Sequence, residues 1–239
     1  MIEALVPELM EDHPMPFTAH LVELRERIIW SLGIVGAGGL LVFQFSGRLL
    51  SWLARPAGQL VFIAPAEAFH TRVKVGLYGG FLLTLPLLLH QVWLFVARAL
   101  DRKWRGRLLT MVPLAYGLFL SGVAVCLLLV VPAAMRFFLS YGSEGVRPLL
   151  TLSAYLSFIT TLSLAFGAAF EFPLVLYILD WMGILAREQL IPYRRLVYFA
   201  SFIFPAFFTP DVFSQICLAA SISALFELSL LAMRFSKRA

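Results

Sequence analysis

Glu171 stands inside an apolar run, residues 155–179, that is long enough to cross a membrane. A carboxyl group at that depth has no water to solvate it, which makes it a candidate functional group. Two readings stand for it. It is a protonated acid hydrogen-bonded between helices, or it belongs to a polar patch on a concave face that holds local water and receives a partner. Glu227, in Leu225-Phe-Glu227-Leu, poses the same question near the end of another apolar run, and there a structural hydrogen bond is expected. A third acid, Glu23, lies in His20-Leu-Val-Glu23-Leu-Arg25-Glu26-Arg27, just ahead of the first apolar run. Leu21, Leu24 and Ile28 give this stretch one apolar face, and Glu23 and Arg27 are spaced as an i,i+4 pair worth a few tenths of a kcal/mol. The stretch is either an amphipathic lead-in with its arginines at the headgroups, or a place where Glu23 stays exposed at the interface to bind a cation. A carboxylate accepts a guanidinium in bidentate fashion, and poor local solvation strengthens the pair.

Other polar groups cluster at the ends of apolar runs. Gln91-Val-Trp93-Leu-Phe95 closes the second run; Gln91 offers donor and acceptor, and Trp93 suits an interfacial aromatic belt. His90 reads as a packed or interfacial histidine, with a proton carrier as the alternative. Thr209, Asp211, Ser214 and Gln215 crowd a tight corner between the last two runs. Asp211 is placed to cap the helix that follows, which leaves Gln215 free to bond a partner helix. Cys126 and Cys217 lie in apolar runs and read as small core residues, and no metal-ligand spacing or disulfide framework occurs. A nucleophile with a nearby base, paired intramembrane aspartates and a nucleotide-binding glycine loop are all missing from the sequence, so no catalytic residue or cofactor is expected.

These groups need a membrane-embedded scaffold. Apolar residues make up 61% of the 239, charged residues 14%, and mean hydropathy is +0.88. The net charge of +5 is spread in short clusters between apolar runs, which fits membrane topology rather than nucleic-acid binding. The acid-rich first 27 residues do not resemble a cleavable signal. Spanning the hydrocarbon takes roughly 20 helical residues. Six spans are read, approximately 28–46, 75–97, 108–132, 155–179, 195–209 and 212–233, within a single membrane domain covering 1–239. An acidic arm (1–17) precedes them and a basic tail (234–239) follows. The fifth is short: Leu196–Phe208 amounts to about 20 Å of helix against about 30 Å of hydrocarbon. The last two spans therefore sit shallow or thin the bilayer. Of the 19 Lys and Arg, 13 fall on the side of the two termini, so both termini are expected in the cytoplasm. The loops 47–74 and 133–154 then face outward as irregular, partly structured caps. Pro86, Pro113, Pro173 and Pro205 are expected to kink their spans. Kinked helices of unequal length favour a curved wall with a concave face.

Six segments, taken together and in order, resemble the TatC family, the receptor subunit of the twin-arginine protein translocase. They are His-Leu-x-Glu23-Leu-Arg25-x-Arg27, Gln91-Val-Trp93-x-Phe95, Ser153-Ala-Tyr-Leu-Ser-Phe, Ala165-Phe-Gly-x-x-Phe-Glu171-x-Pro173, Trp181-Met-Gly183 and Thr209-Pro-Asp211-Val-Phe-Ser-Gln215. The likeness runs from about residue 17 to 235. It implies an all-α integral membrane fold, six helices in a cupped, glove-like arrangement, in a bacterial or archaeal cytoplasmic membrane. It also implies binding of the Arg-Arg signal of folded export substrates at the cytoplasmic face. Glu23 matches the family glutamate that receives the arginines, and Arg25, Gln91 and Phe95 fall in the matching motifs. The family pattern carries a second acid after the second span. Here Arg98 stands where proline is usual and Trp104 where that glutamate is, so Asp101 is the expected substitute, or Trp104 stacks on a guanidinium. The implied partners are single-span proteins of the TatA and TatB type, docking near Thr209, Asp211 and Gln215, and other copies within the receptor complex. The likeness further implies transport driven by the proton gradient. The rival reading is a proton-coupled small-solute transporter with Glu171 and His90 as relay groups; inverted repeats and paired broken helices, which it calls for, are not seen.

Overall fold

A chain this apolar enters a bilayer only with its backbone hydrogen bonds closed within helices. The structure, a computed structural model, describes residues 17–98, 110–143, 148–209 and 211–235. Helix α1 (Phe17–Phe43) is followed by α2 (Ser46–Ala54), a two-residue strand β1 (Leu60–Val61) and the long α3 (Pro65–Arg98). Next come α4 (Val112–Val125) and α5 (Val131–Leu139), joined by a π-helical segment, Cys126–Val130. Strand β2 (Leu150–Thr151) leads into α6 (Leu152–Phe170) and α7 (Phe172–Trp181). The single turn α8 (Arg187–Leu190), then α9 (Arg194–Ile203), a 3-10 turn Phe204–Phe207 and α10 (Val212–Phe235) complete the described chain.

Five stretches among the described residues are long and apolar enough to cross a membrane: Val22–Phe43, Pro65–Leu94, Val112–Leu139, Leu152–Trp181 and Val212–Arg234. The expected fifth span corresponds to α9 and its 3-10 turn, ten and four residues long, and its shortness keeps it out of that set. The second helix begins at Pro65 rather than near 75, because proline in the first turn gives up no hydrogen bond and Glu67 follows at the positive end of the helix. Pro113 lies in the first turn of α4, directly after a one-residue break in helix at Met111 that follows the helical Thr110. Pro173 and Pro205 likewise open new segments, and the first of these divides the expected fourth span into α6 and α7 at Glu171. Pro86 remains inside α3. Two residues before it, Thr84 donates to the Gly80 carbonyl at 2.8 Å.

The loops 47–74 and 133–154 are more ordered than irregular caps. β1 and β2 pair in parallel, Leu60 opposite Leu150 and Val61 opposite Thr151, a small departure from an all-α chain. Glu67 reinforces the pairing: one carboxylate oxygen accepts the Ser153 N–H at 2.8 Å and the other the Ile63 N–H at 2.9 Å. The buried Tyr155 donates its hydroxyl to the Leu53 carbonyl at 2.8 Å. The Ser153-Ala-Tyr155 segment thus serves this clasp.

α1 lies on α3, while α3, α4 and α6 pack on one another and α10 packs on α6, α7 and α9. Glycines set two of the crossings, since small residues let helices approach closely in lipid. A Cβ on Gly80 of α3 would overlap the backbone of Gly38 and Gly39 on α1. One on Gly122 of α4 would lie 2.5 Å from the Phe166 carbonyl oxygen of α6, and one on Gly167 would run into the Phe119 ring. Gly167 was expected to allow such an approach; the α1–α3 glycines were not singled out. Gly80→Val is expected to destabilise the detergent-solubilised protein by about 1–3 kcal/mol or more through overpacking. Gly33→Ala, whose added methyl meets nothing within 4 Å, is expected to leave thermal stability unchanged or slightly raised.

Candidate functional site

The close α1–α3 crossing brings Glu23, Arg27 and Gln91 together at the helix ends opposite the clasp. Of the two readings of this stretch, the one that leaves Glu23 exposed does not hold: Glu23 is 9% exposed. One reason is the i,i+4 partner on its own helix. Arg27 places Nε and Nη2 each 2.7 Å from Glu23 Oε1. The same guanidinium reaches across to α3, where Nη1 donates to Gln91 Oε1 at 2.8 Å and to the Gln91 carbonyl at 3.3 Å. The two charged side chains are only 13% and 10% exposed. The attraction within a pair this shielded exceeds that of an exposed helix pair, because water and salt screen it less, and its desolvation cost rises with it. Sequence spacing identified the pair but not its burial, and it missed Arg27 as the link to Gln91. That link depends on α3 passing close by, which no local pattern reveals.

Around this cluster Arg25 is exposed. Trp93 is partly buried and packs on Ala115 of α4 and on Leu174 and Ile178 of α7, so it is more than an interfacial anchor. His90 is exposed on α3. The backbone of Phe95 belongs to α3, while its side chain, together with Asp101 and Trp104, lies outside the described residues. Asp180 was not singled out from sequence. It is 2% exposed near the end of α7, where Gly183 donates to its carbonyl at 2.9 Å. Gly183 adopts a positive φ of 74° and lets the Ile184 and Leu185 N–H groups turn back to Leu179. An acid beside Trp181-Met-Gly183 at a span end was the available signal.

Glu171 sits at the α6–α7 break, half-buried, with Oε1 enclosed and making no hydrogen bond among the described residues. The reading of a hydrogen-bonded acid between helices finds no bond at that oxygen. Glu227, by contrast, has the structural bonds expected of it: it accepts from Arg194 Nη2 at 3.1 Å and from the Tyr198 hydroxyl, tying α10 to α9. In the polar corner, Thr209 turns back to the Pro205 carbonyl at 2.9 Å. Asp211 accepts the Ser214 N–H at 2.6 Å, the helix cap that was expected. The Gln215 amide is not free. Its Nε2 donates to the Phe202 carbonyl at 2.9 Å. Phe202 lies in the last turn of α9, where the chain passes into the 3-10 turn and end carbonyls look for partners outside the helix. Cys126 is buried in the core, and Cys217 is partly buried against it.

A family profile described as Sec-independent protein translocase protein (TatC) matches residues 19–220. The chain is 35% identical over 234 residues to the Sec-independent protein translocase protein TatC of Carboxydothermus hydrogenoformans, covering 95% of this chain and 96% of that one. It is 36% identical over 223 residues to the protein of that name from Synechocystis sp., covering 92% and 88%. A crystal structure titled as the twin arginine translocase receptor TatC superposes with a TM-score of 0.78 at 31% identity, covering 90% of this chain and 98% of that one.

The shielding of Glu23 and Arg27 has a thermodynamic signature. In a double-mutant cycle of Glu23→Gln and Arg27→Gln, thermal unfolding in detergent is expected to give a coupling on the order of 1–3 kcal/mol. Coupling near zero would mark the pair as screened by solvent.

Proposed function

The chain belongs to the TatC family of Sec-independent protein translocase proteins, and on that premise we propose that it is the subunit that receives twin-arginine signals. The observation that carries this reading is the Glu23 carboxylate, buried at a helix end and already holding a guanidinium. A site that satisfies one arginine side chain there has the geometry and the low screening to satisfy another. Arg25, Gln91, Phe95, Asp101 and Trp104 complete the proposed signal-binding surface. Lys and Arg distribution supports placing this end, and both termini, in the cytoplasm of a bacterial or archaeal cell, with the clasped loops outside. The protein acts as receptor and scaffold, without covalent chemistry. Passenger arginines dock at Glu23 while the apolar part of the signal lies along the wall.

Single-span partner proteins of the TatA and TatB type gather at two places. One is the short α9 with the corner from Thr209 to Gln215, where the bilayer is thinned. The other is the concave face at Glu171, whose enclosed, unbonded oxygen suits a polar partner group. Several copies assemble in the receptor complex, and the proton gradient drives a folded passenger across. The solute-transporter alternative needs a Glu171–His90 relay together with inverted repeats, and the sequence carries no such repeat.

Glu23→Ala and Glu23→Lys are expected to reduce crosslinking of an Arg-Arg signal peptide at least roughly tenfold, with Lys the more severe because like charge repels. Unchanged crosslinking removes Glu23 from its role. For partner docking, Gln215→Leu removes the bond to the Phe202 carbonyl that shapes the corner, and is expected to weaken crosslinking of a TatB-type helix to α9 and α10, leaving signal binding intact.

A further inference from the structure

Three nitrogens of the Arg27 guanidinium are engaged at once: Nε and Nη2 on Glu23, and Nη1 on Gln91. The two residues proposed to meet a passenger's arginine are thus already bonded to an arginine of this chain. We propose that Arg27 is an internal stand-in for the passenger's guanidinium, so that a signal binds by exchange rather than by filling an open site. This rests on Glu23 being the signal-binding carboxylate.

The exchange has a definite physical form. A second guanidinium can reproduce the planar fork on Glu23 and the reach to Gln91, so swapping one for the other conserves hydrogen bonds. One passenger arginine therefore gains little net free energy at this carboxylate alone. A second adjacent arginine, finding its own contacts, supplies the surplus that drives displacement. An internal competitor weakens every cationic ligand by the same factor, just as any competing ligand does. It leaves the ratio between an Arg-Arg and a Lys-Lys signal unaltered and raises the threshold both must cross. The weaker signal then falls below useful occupancy while the stronger one still binds. Arg27 is in this sense a positioning residue that sets threshold, and its removal should strengthen binding, the opposite of what loss of a supporting contact does.

The test is titration of the full-length protein in nanodiscs with fluorescent Arg-Arg and Lys-Lys signal peptides. Arg27→Gln is expected to lower Kd for both by about tenfold, the effect of freeing one charge-assisted contact. Arg27→Lys keeps the charge and loses the fork, and is expected to give a smaller tightening, which separates displacement from a mere change in net charge. A higher or unchanged Kd in both variants overturns the proposal. Where Arg27→Gln does not remain monodisperse, Arg27→Lys decides the matter alone. Glu23→Gln separates the two levels. If it abolishes binding while the Arg27 variants gain nothing, the stand-in role fails and the receptor reading survives. If it leaves binding intact, Glu23 is not the receptor carboxylate and both fall.

Discussion

A carboxylate at the edge of a bilayer has to be solvated by something, and in this protein the solvent of Glu23 is Arg27. The pair is shielded by the crossing of α1 and α3, and that crossing exists because Gly38, Gly39 and Gly80 leave room for two backbones to meet. Gln91 completes the arrangement from the second helix. Backbone proximity, desolvation and charge pairing are therefore one connected constraint. Widening the crossing would admit water, weaken the pair and detach α3 from the polar end of α1.

At the other end of the molecule a different device does the holding. The parallel β1–β2 contact, the Glu67 carboxylate on two backbone N–H groups and the Tyr155 hydroxyl on Leu53 bind two loops far apart in sequence into one unit. The Glu67 bonds lie among exposed or half-exposed groups, and the Tyr155 bond lies in the buried core beneath them. The arrangement leaves one end of α3 and α6 tied together. At the opposite end, α1 leans chiefly on a single neighbour.

Apolar periodicity and length were enough to expose the membrane class, the order of the helices and the shortness of the α9 segment. Boundaries were harder, because proline's effect depends on where it falls in a turn: Pro173 lies in one apolar run in sequence and divides it into two helices in space. At the site, residue types and i,i+4 spacing pointed to Glu23 and Arg27, and the cap role of Asp211 and the bonded state of Glu227 were also legible. What could not be read was tertiary. The burial of Glu23, the reach of Arg27 to Gln91 and the capture of the Gln215 amide by the Phe202 carbonyl all depend on a neighbouring helix passing at a given height. Asp180 was missed because a single acid at a span end resembles any interfacial charge until its enclosure is seen.

The extent of burial carries a consequence for passage. In none of the five spanning windows are more than 39% of the residues buried within the chain, so most positions keep some surface for lipid or for other proteins. Surface of that extent lets other molecules complete the boundary of any conduit a large object travels through, a conduit that exists only while they are assembled.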